Sequence, residues 1–273
     1  WREVSAIVTP VVPNDTGPCC YTLDPGSLLI TSHFNPSMYY ELPEEMLRAE
    51  YFQPDVHDLA SVARSERGVS TIHEAAGGDP STSARWRANM ELGGDQELLV
   101  ALRARSGATW GSLGLYRAPG EPMFSSREIE FLRRIAPSVA DGLRRALLVG
   151  EARDPEGPDG PGLIVLTPEL EIESLTPDAG RWLAELPGAR PGGPLPAAVA
   201  AVARAALHED PGSAQRAVSR VLSESGRWLL LDGAPFPIGR RRNAAVIIEP
   251  AHPARIAGLL MARQAGTTFE QAI

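Results

Sequence analysis

Ser106–Val149 reads SGATWGSLGLYRAPGEPMFSSREIEFLRRIAPSVADGLRRALLV, and this stretch decides the fold. Its first part predicts a strand over Thr109–Arg117. The period of two puts Leu113 and Leu115 on one face and Trp110, Ser112, Gly114 and Tyr116 on the other. Ala118-Pro119-Gly120 is turn chemistry. Ser125 with Glu128 three residues later forms a capping box, so a helix starts there. Ile129, Leu132, Ile135, Val139, Leu143 and Leu147 then recur at three and four and make one apolar stripe. Pro137 removes a backbone donor inside that helix, which predicts a kink near Arg133–Pro137. A strand that hands over to a long amphipathic helix suits a sensor, because the helix can carry a change of state onward. The same pattern also serves simply to close a core.

Working outward, Cys19–Leu23 and Ser27–His33 read as a hairpin around Asp24-Pro25-Gly26. Pro43–Glu50 and Val56–Arg64 read as helices and Val69–Glu74 as a strand. Ser81–Glu91 reads as a helix with Trp86 and Met90 on one face. Glu97–Arg105 reads as the strand partner of Thr109–Arg117. Paired strands flanked by helices, without regular βαβ alternation, predict an α+β fold with an antiparallel sheet. Gly150–Pro161, with three Gly, three Pro and four acids, has linker composition and divides the chain. The expected units are 1–149, a linker at 150–161, a smaller α+β domain at 162–250, and a connecting helix within 251–273. In the second domain the predicted strands are Gly162–Leu166, Leu170–Ser174, Arg216–Ser223, Arg227–Leu231 and Ala244–Glu249. Helices are predicted over Asp178–Leu186, capped by Thr176 with Pro177 first, over Pro196–Leu207, and over Pro253–Gln264. The Ala-rich Pro196–Leu207 helix predicts tight packing. No internal repeat is evident in the sequence.

Composition narrows the function. The chain has 273 residues, a formal charge of −8 and no lysine, so it is a poor electrostatic partner for nucleic acid or anionic lipid. No apolar run approaches a membrane span, and no signal peptide is visible at 1–12. The two cysteines are adjacent, Cys19-Cys20, which is no disulfide scaffold; a reduced, cytoplasmic chain is expected. Their alternation puts one in the core and the other nearer solvent.

At CCYTLDPGSLLITSHF and then from HEAAGGDPSTSARWRANMELGG through the opening stretch, the first domain resembles the GAF-type sensor region of actinobacterial LuxR-family transcription regulators. The segments GLIVLTPELEIESLTPDAGRWL, SGRWLLLDG and AAVIIEPAHPARIAGLLMA resemble the PAS-like domain that follows in those proteins. In that family a helix-turn-helix comes next. Gly266–Ile273 stands where it should begin but matches poorly, with Thr267 and Phe269 in place of the usual Leu and Arg. The resemblance implies a sensing and dimerising region, with DNA read only through a further domain absent from these residues.

Catalytic patterns are missing. Cys19, Cys20, His33, His57 and His73 lack metal-ligand spacing, so no metal is expected. Ser112 lies mid-strand and not on a nucleophile elbow. Gly77-Gly78-Asp79 is a helix-entry turn, and no phosphate loop occurs. Glu50, Asp55 and Asp58 read as helix-terminal acids. Arg240-Arg241-Arg242 reads as a solvated hairpin loop. No enzyme activity and no cofactor are expected.

What the resemblance implies instead is a small-molecule pocket between sheet and covering helices. Tyr21, His33, Trp86, Trp110, Ser112 and Tyr116 are its expected lining; rings that only fill a core are the plain alternative. The stripe Ile129, Leu132, Ile135, Val139, Leu143 and Leu147 is the expected homodimer helix. The expected partners are an unidentified small molecule and a second copy, without a membrane. A stand-alone metabolite-binding protein or degenerate enzyme of the same fold, and a dimerisation scaffold with a filled core, remain alternatives.

Overall fold

The computed structural model describes residues 1–15, 17–36, 44–51, 55–149, 160–208, 217–239 and 241–251. Residues 150–159 of the expected 150–161 linker, the expected helix at 253–264 and the Gly266–Ile273 segment lie outside the described residues.

The first unit begins with α1 (Arg2–Val8), then β1 (Cys19–Leu23) and β2 (Ile30–Phe34). It continues through α2 (Glu44–Tyr51), α3 (Leu59–Arg64), β3 (Val69–Thr71), α4 (Ile72–Ala75) and α5 (Ala84–Glu91). It closes with β4 (Gln96–Arg103), β5 (Thr109–Arg117) and α6 (Ser126–Val149). The second unit is β6 (Gly162–Leu166), β7 (Ile172–Leu175), α7 (Pro177–Glu185), α8 (Ala197–His208), β8 (Ala217–Leu222), β9 (Trp228–Ile238) and β10 (Arg241–Pro250).

Each unit is built on one five-stranded antiparallel sheet. The orders are β2-β1-β5-β4-β3 and β7-β6-β10-β9-β8, which is the same order of strands counted within each unit. The α+β class therefore holds, and one topology occurs twice although the sequence shows no repeat. In both units the helical crossover falls between the second and third strands.

Local chemistry explains most boundaries. The capping box forms as expected: the Ser125 N–H donates to Glu128 Oε2 at 2.7 Å, and the Glu128 N–H donates back to Ser125 Oγ at 3.3 Å. The α6 helix runs unbroken through Pro137. Thr176 caps α7, and Pro177 stands at its first position. The Val69–Glu74 strand is shorter than expected, because Thr71 ends it by capping α4 through the Glu74 N–H. The β9–β10 hairpin is longer than expected. Arg241 and Arg242 lie in β10 opposite Ile238 and Pro237, so they are strand residues and not loop. Pro235 and Pro237 lie in β9 beyond Gly233, the last β9 residue paired with β8 among the described residues.

Both faces of the first sheet are covered. On one side, Leu132, Ala136 and Ala140 of α6 pack with Leu98, Val100, Leu113 and Leu115. On the other side lie α2, α3 and α5. Cys19 and Cys20 are consequently both buried, at 7% and 0% exposure, where the sequence put one near solvent. Burial raises their thiols to about 11 and about 12, so neither is poised as a nucleophile.

The units are joined by α8. An apolar cluster runs without a break from Tyr21, Ile30 and Leu99 in the first unit to Ile164, Trp182 and Val246 in the second. The helix α8, AAVAAVARAALH, contributes most of its residues to this cluster and packs on β9, β10, β2 and α2. A helix apolar all round must be buried on all sides. Small side chains let it sit close: a Cβ at Gly233 of β9 would stand 2.7 Å from Val202 Cγ1 and 3.0 Å from the Val202 carbonyl oxygen. Asp24 adds a polar link. Its carboxylate accepts from the Gly26 and Ser27 N–H groups of its own turn, and from the Arg220 N–H (2.9 Å) and Nη1 (3.2 Å) of β8.

Candidate functional site

The face of the first sheet turned toward α2, α3 and α5 carries a buried ionic cluster. Its hub is Arg85, the second residue of α5, which is 1% exposed. Ser83 and Asp55 set that helix in place. Ser83 Oγ accepts from the Trp86 N–H, while Asp55 accepts from Ser83 Oγ (2.8 Å) and the Arg85 N–H (2.9 Å). Asp55 thus braces α5 from a distance, and Asp58 is the residue that caps α3.

The Arg85 guanidinium grips Glu97 of β4 with two bonds, Nε to Oε2 at 2.7 Å and Nη2 to Oε1 at 2.9 Å. This planar fork is the strong arrangement for a carboxylate. Glu97 also receives the Tyr116 hydroxyl at 2.9 Å and faces His57 Nδ1 at 3.2 Å, so both its oxygens are fully engaged. His57 Nε2 lies 3.1 Å from the Ser70 carbonyl oxygen, which can only accept. Burial alone would raise the Glu97 carboxyl, but Arg85 and His57 outweigh it and hold it well below the usual carboxylate range.

Arg85 has one more contact. Its Nη1 donates to Glu50 Oε2 at 2.5 Å, and the Leu59 N–H donates to the same carboxylate at 3.0 and 3.3 Å. Glu50 is carried on α2, and its side chain is 4% exposed. Burial raises its carboxyl to about 7 even though Arg85 pulls the other way.

The expected lining residues divide. Tyr21, His33 and Tyr116 do share this face; the Tyr21 and His33 rings lie 5.0 Å apart. Ser112 is on it too, but its hydroxyl donates to the Val100 carbonyl at 3.0 Å and is absorbed by the sheet. Trp86 is only half-buried and points its indole N–H at Asp95. Trp110 is on the opposite face, in the cluster under α6. The cause is a break in register: Leu102 pairs Gly111 but Arg103 pairs Thr109, so Trp110 is the unopposed residue of a bulge. Sequence reading missed Arg85 and Glu97. The available signals were an acid opening an otherwise apolar strand, ELLVAL, and an Arg beside Trp86 in a short capped helix.

The expected homodimer stripe is turned inward. Leu132 is fully buried against its own sheet, and Ile129, Ile135, Val139, Leu143 and Leu147 are half-buried on the same cluster. A Cβ at Gly111 would stand 2.9 Å from Leu143 Cδ2, so this part of α6 lies directly on β5. Arg133, Arg134, Ser138 and Arg145 face outward.

An open cleft of about 880 Å³ lies elsewhere, lined by Val11, Asn14, Arg117, Met123, Arg127 and Phe131 among others. Among the described residues no group of three or more His, Cys, Asp or Glu could hold a metal ion, and no helix is long and apolar enough to cross a membrane.

His33 has both ring nitrogens buried without a hydrogen-bond partner. Burial lowers its pKa from 6.5 to about 4. Between these values the unfolded chain binds a proton that the folded chain refuses, so this residue costs stability as pH falls through the window. His33→Phe should therefore gain on the parent as pH falls from 7 to 4, by up to about 3 kcal/mol, with no gain above pH 7. Urea unfolding at a series of pH values measures it. Glu50 contributes an opposite slope to both proteins and drops out of the difference. Parallel curves would show that His33 is not the titrating group.

No protein-family model matches this chain, and no curated protein matches it. Several solved structures resemble it in fold. GAF3 of Slr1393 from Synechocystis, in its photoproduct state, is 19% identical over 56% of this chain and 96% of that one, with a TM-score of 0.39. The DhaR(N)–DhaL complex of E. coli is 14% identical over 92% and 84%, with a TM-score of 0.30. The sensor region of a sensor histidine kinase is 14% identical over 91% and 90%, with a TM-score of 0.21. The two antiparallel five-stranded sheets place the chain in the α+β class.

Proposed function

We propose that this chain is the small-molecule-sensing region of a regulator and is not an enzyme. The observation that carries the reading is the polar cluster under α2, α3 and α5, linked to the second unit through α2 and α8. Charged groups are rarely buried so completely in a structural core without cost. Here they stand on the face that faces the helical crossover, where a change in α2 reaches α8 by direct packing. In the cluster Glu97, Arg85, Tyr116 and His57 are bound to one another, an arrangement that supports recognition over catalysis.

The finer reading is a LuxR-family transcription regulator that relays ligand state to a helix-turn-helix module outside these residues. Its support is the sequence resemblance alone. Pairing of two copies through α6 would use the half-covered edges of Ile129, Ile135 and Val139, since Leu132 is spent on the sheet. A stand-alone metabolite-binding protein of the same fold is the other reading.

A thermal-shift screen against a metabolite library tests the sensing role. A ligand bound only by the folded state, at a hundredfold excess over its Kd, adds about 2.7 kcal/mol, which is roughly 5–10 °C in Tm. A broad library without any stabilising compound would overturn the role.

A further inference from the structure

The Glu50 carboxylate is a poor structural necessity. Arg85 is already matched by Glu97 through its two-bond fork. A second carboxylate against the same guanidinium adds a buried negative charge whose desolvation the single remaining N–H bond repays only in part. Yet two donors from different elements, Arg85 Nη1 of α5 and the Leu59 N–H of α3, converge on it. On the same sheet face, His33 holds two buried ring nitrogens with no partner.

We propose that Arg85 Nη1 and the Leu59 N–H are a receptor for the carboxylate of a small monocarboxylic acid, and that the Glu50 side chain holds that place in the described structure. The inference rests on the sensing reading above and names its ligand class. An incoming carboxylate takes over both donors and releases Glu50. Burial raises the Glu50 carboxyl to about 7 while Arg85 and His57 hold Glu97 low, so Glu50 is the less firmly ionised of the two carboxylates on Arg85. The consequence is carried by α2. It bears Glu50 and the adjacent Tyr51, whose hydroxyl accepts from the Ile30 N–H of β2 at 3.0 Å, and it packs on α8. Loss of the Glu50 anchor therefore loosens α2 against the helix shared by both units.

Chemical rescue tests the receptor. Glu50→Ala is titrated with acetate, with acetamide as the neutral isostere and chloride at matched ionic strength. Acetate should raise the Tm of the variant by about 5 °C, and the two controls should not. Equal melting in acetate and acetamide would overturn the proposal. If Glu50→Ala does not fold unaided, refolding yield in acetate against acetamide gives the same reading. In the parent protein, carboxylates of two to six carbons are titrated with amide exchange followed across α2. Faster exchange at saturation is expected; unchanged exchange for the whole series makes Glu50 a permanent occupant and overturns the proposal. A library ligand that stabilises the parent without altering α2 exchange would remove this site and leave the sensing role standing. Acetate rescue with no stabilising library compound would do the reverse.

Discussion

Arg85→Met should lower the stability of this protein by about 3–5 kcal/mol, which is a fall of roughly 10–15 °C in Tm. Methionine fills much of the volume but supplies no donor. Glu97 would lose the fork at 2.7 and 2.9 Å, and Glu50 would lose the Arg85 cation. Two carboxylates would then remain in a site that is almost closed to water, with Tyr116, His57 and the Leu59 N–H as their donors among the described residues. The cost comes from the orphaned partners and not from the strength of the broken bonds. A second variant separates these causes. Arg85→Met combined with Glu50→Met should be more stable than Arg85→Met alone, because one orphan is removed. Urea denaturation of the three proteins decides it. A double variant no better than the single would place the loss in packing.

Asp24→Ala should cost about 3 kcal/mol and should change the shape of unfolding as well as its midpoint. The Asp24 side chain is fully buried, and its oxygens serve two masters. One oxygen holds the β1–β2 turn through the Gly26 and Ser27 N–H groups. The other binds the Arg220 backbone and guanidinium across the junction. Alanine takes the acceptor from these N–H groups and removes one carboxylate from a largely covered arginine. The shared apolar cluster around α8 should make the parent melt as one cooperative unit. Without the Asp24 link, calorimetry should resolve two overlapping transitions. Asp24→Asn keeps an acceptor for the turn and should fall between the two. A single transition for Asp24→Ala within about 1 kcal/mol of the parent would mean that α8 alone carries the coupling.

Much of the secondary structure was legible because its causes are local. Thr109–Arg117 and Gly162–Leu166 form strands at the expected bounds, set by alternation and the turns beside them. The Ser125–Glu128 box and the Thr176-Pro177 start work through residues three apart, so sequence spacing reveals them directly. The apolar character of α8 announced its burial. Legibility failed where the cause was a partner distant in sequence. Trp110 crosses to the α6 face because of how β5 registers on β4, and the period of two holds no record of that bulge. Arg85 was not legible as a site residue because an arginine is ordinarily at the surface. Its burial becomes tolerable only when Glu97, twelve residues on, and Glu50, thirty-five residues back, meet it.

By itself, then, the amino-acid sequence determined the α+β class, most of the strands and helices though not α1 or α4, the capped starts of α6 and α7, and an apolar helix that had to be enclosed. Each follows from chemistry between near neighbours along the chain. Only the tertiary structure decided that two units share one strand order, that α8 and Asp24 join them, and that the aromatic face expected as a pocket is centred on a buried arginine with two carboxylates. Those outcomes depend on which distant segments pack together. The energy of a buried charge is set wholly by the groups that surround it in space.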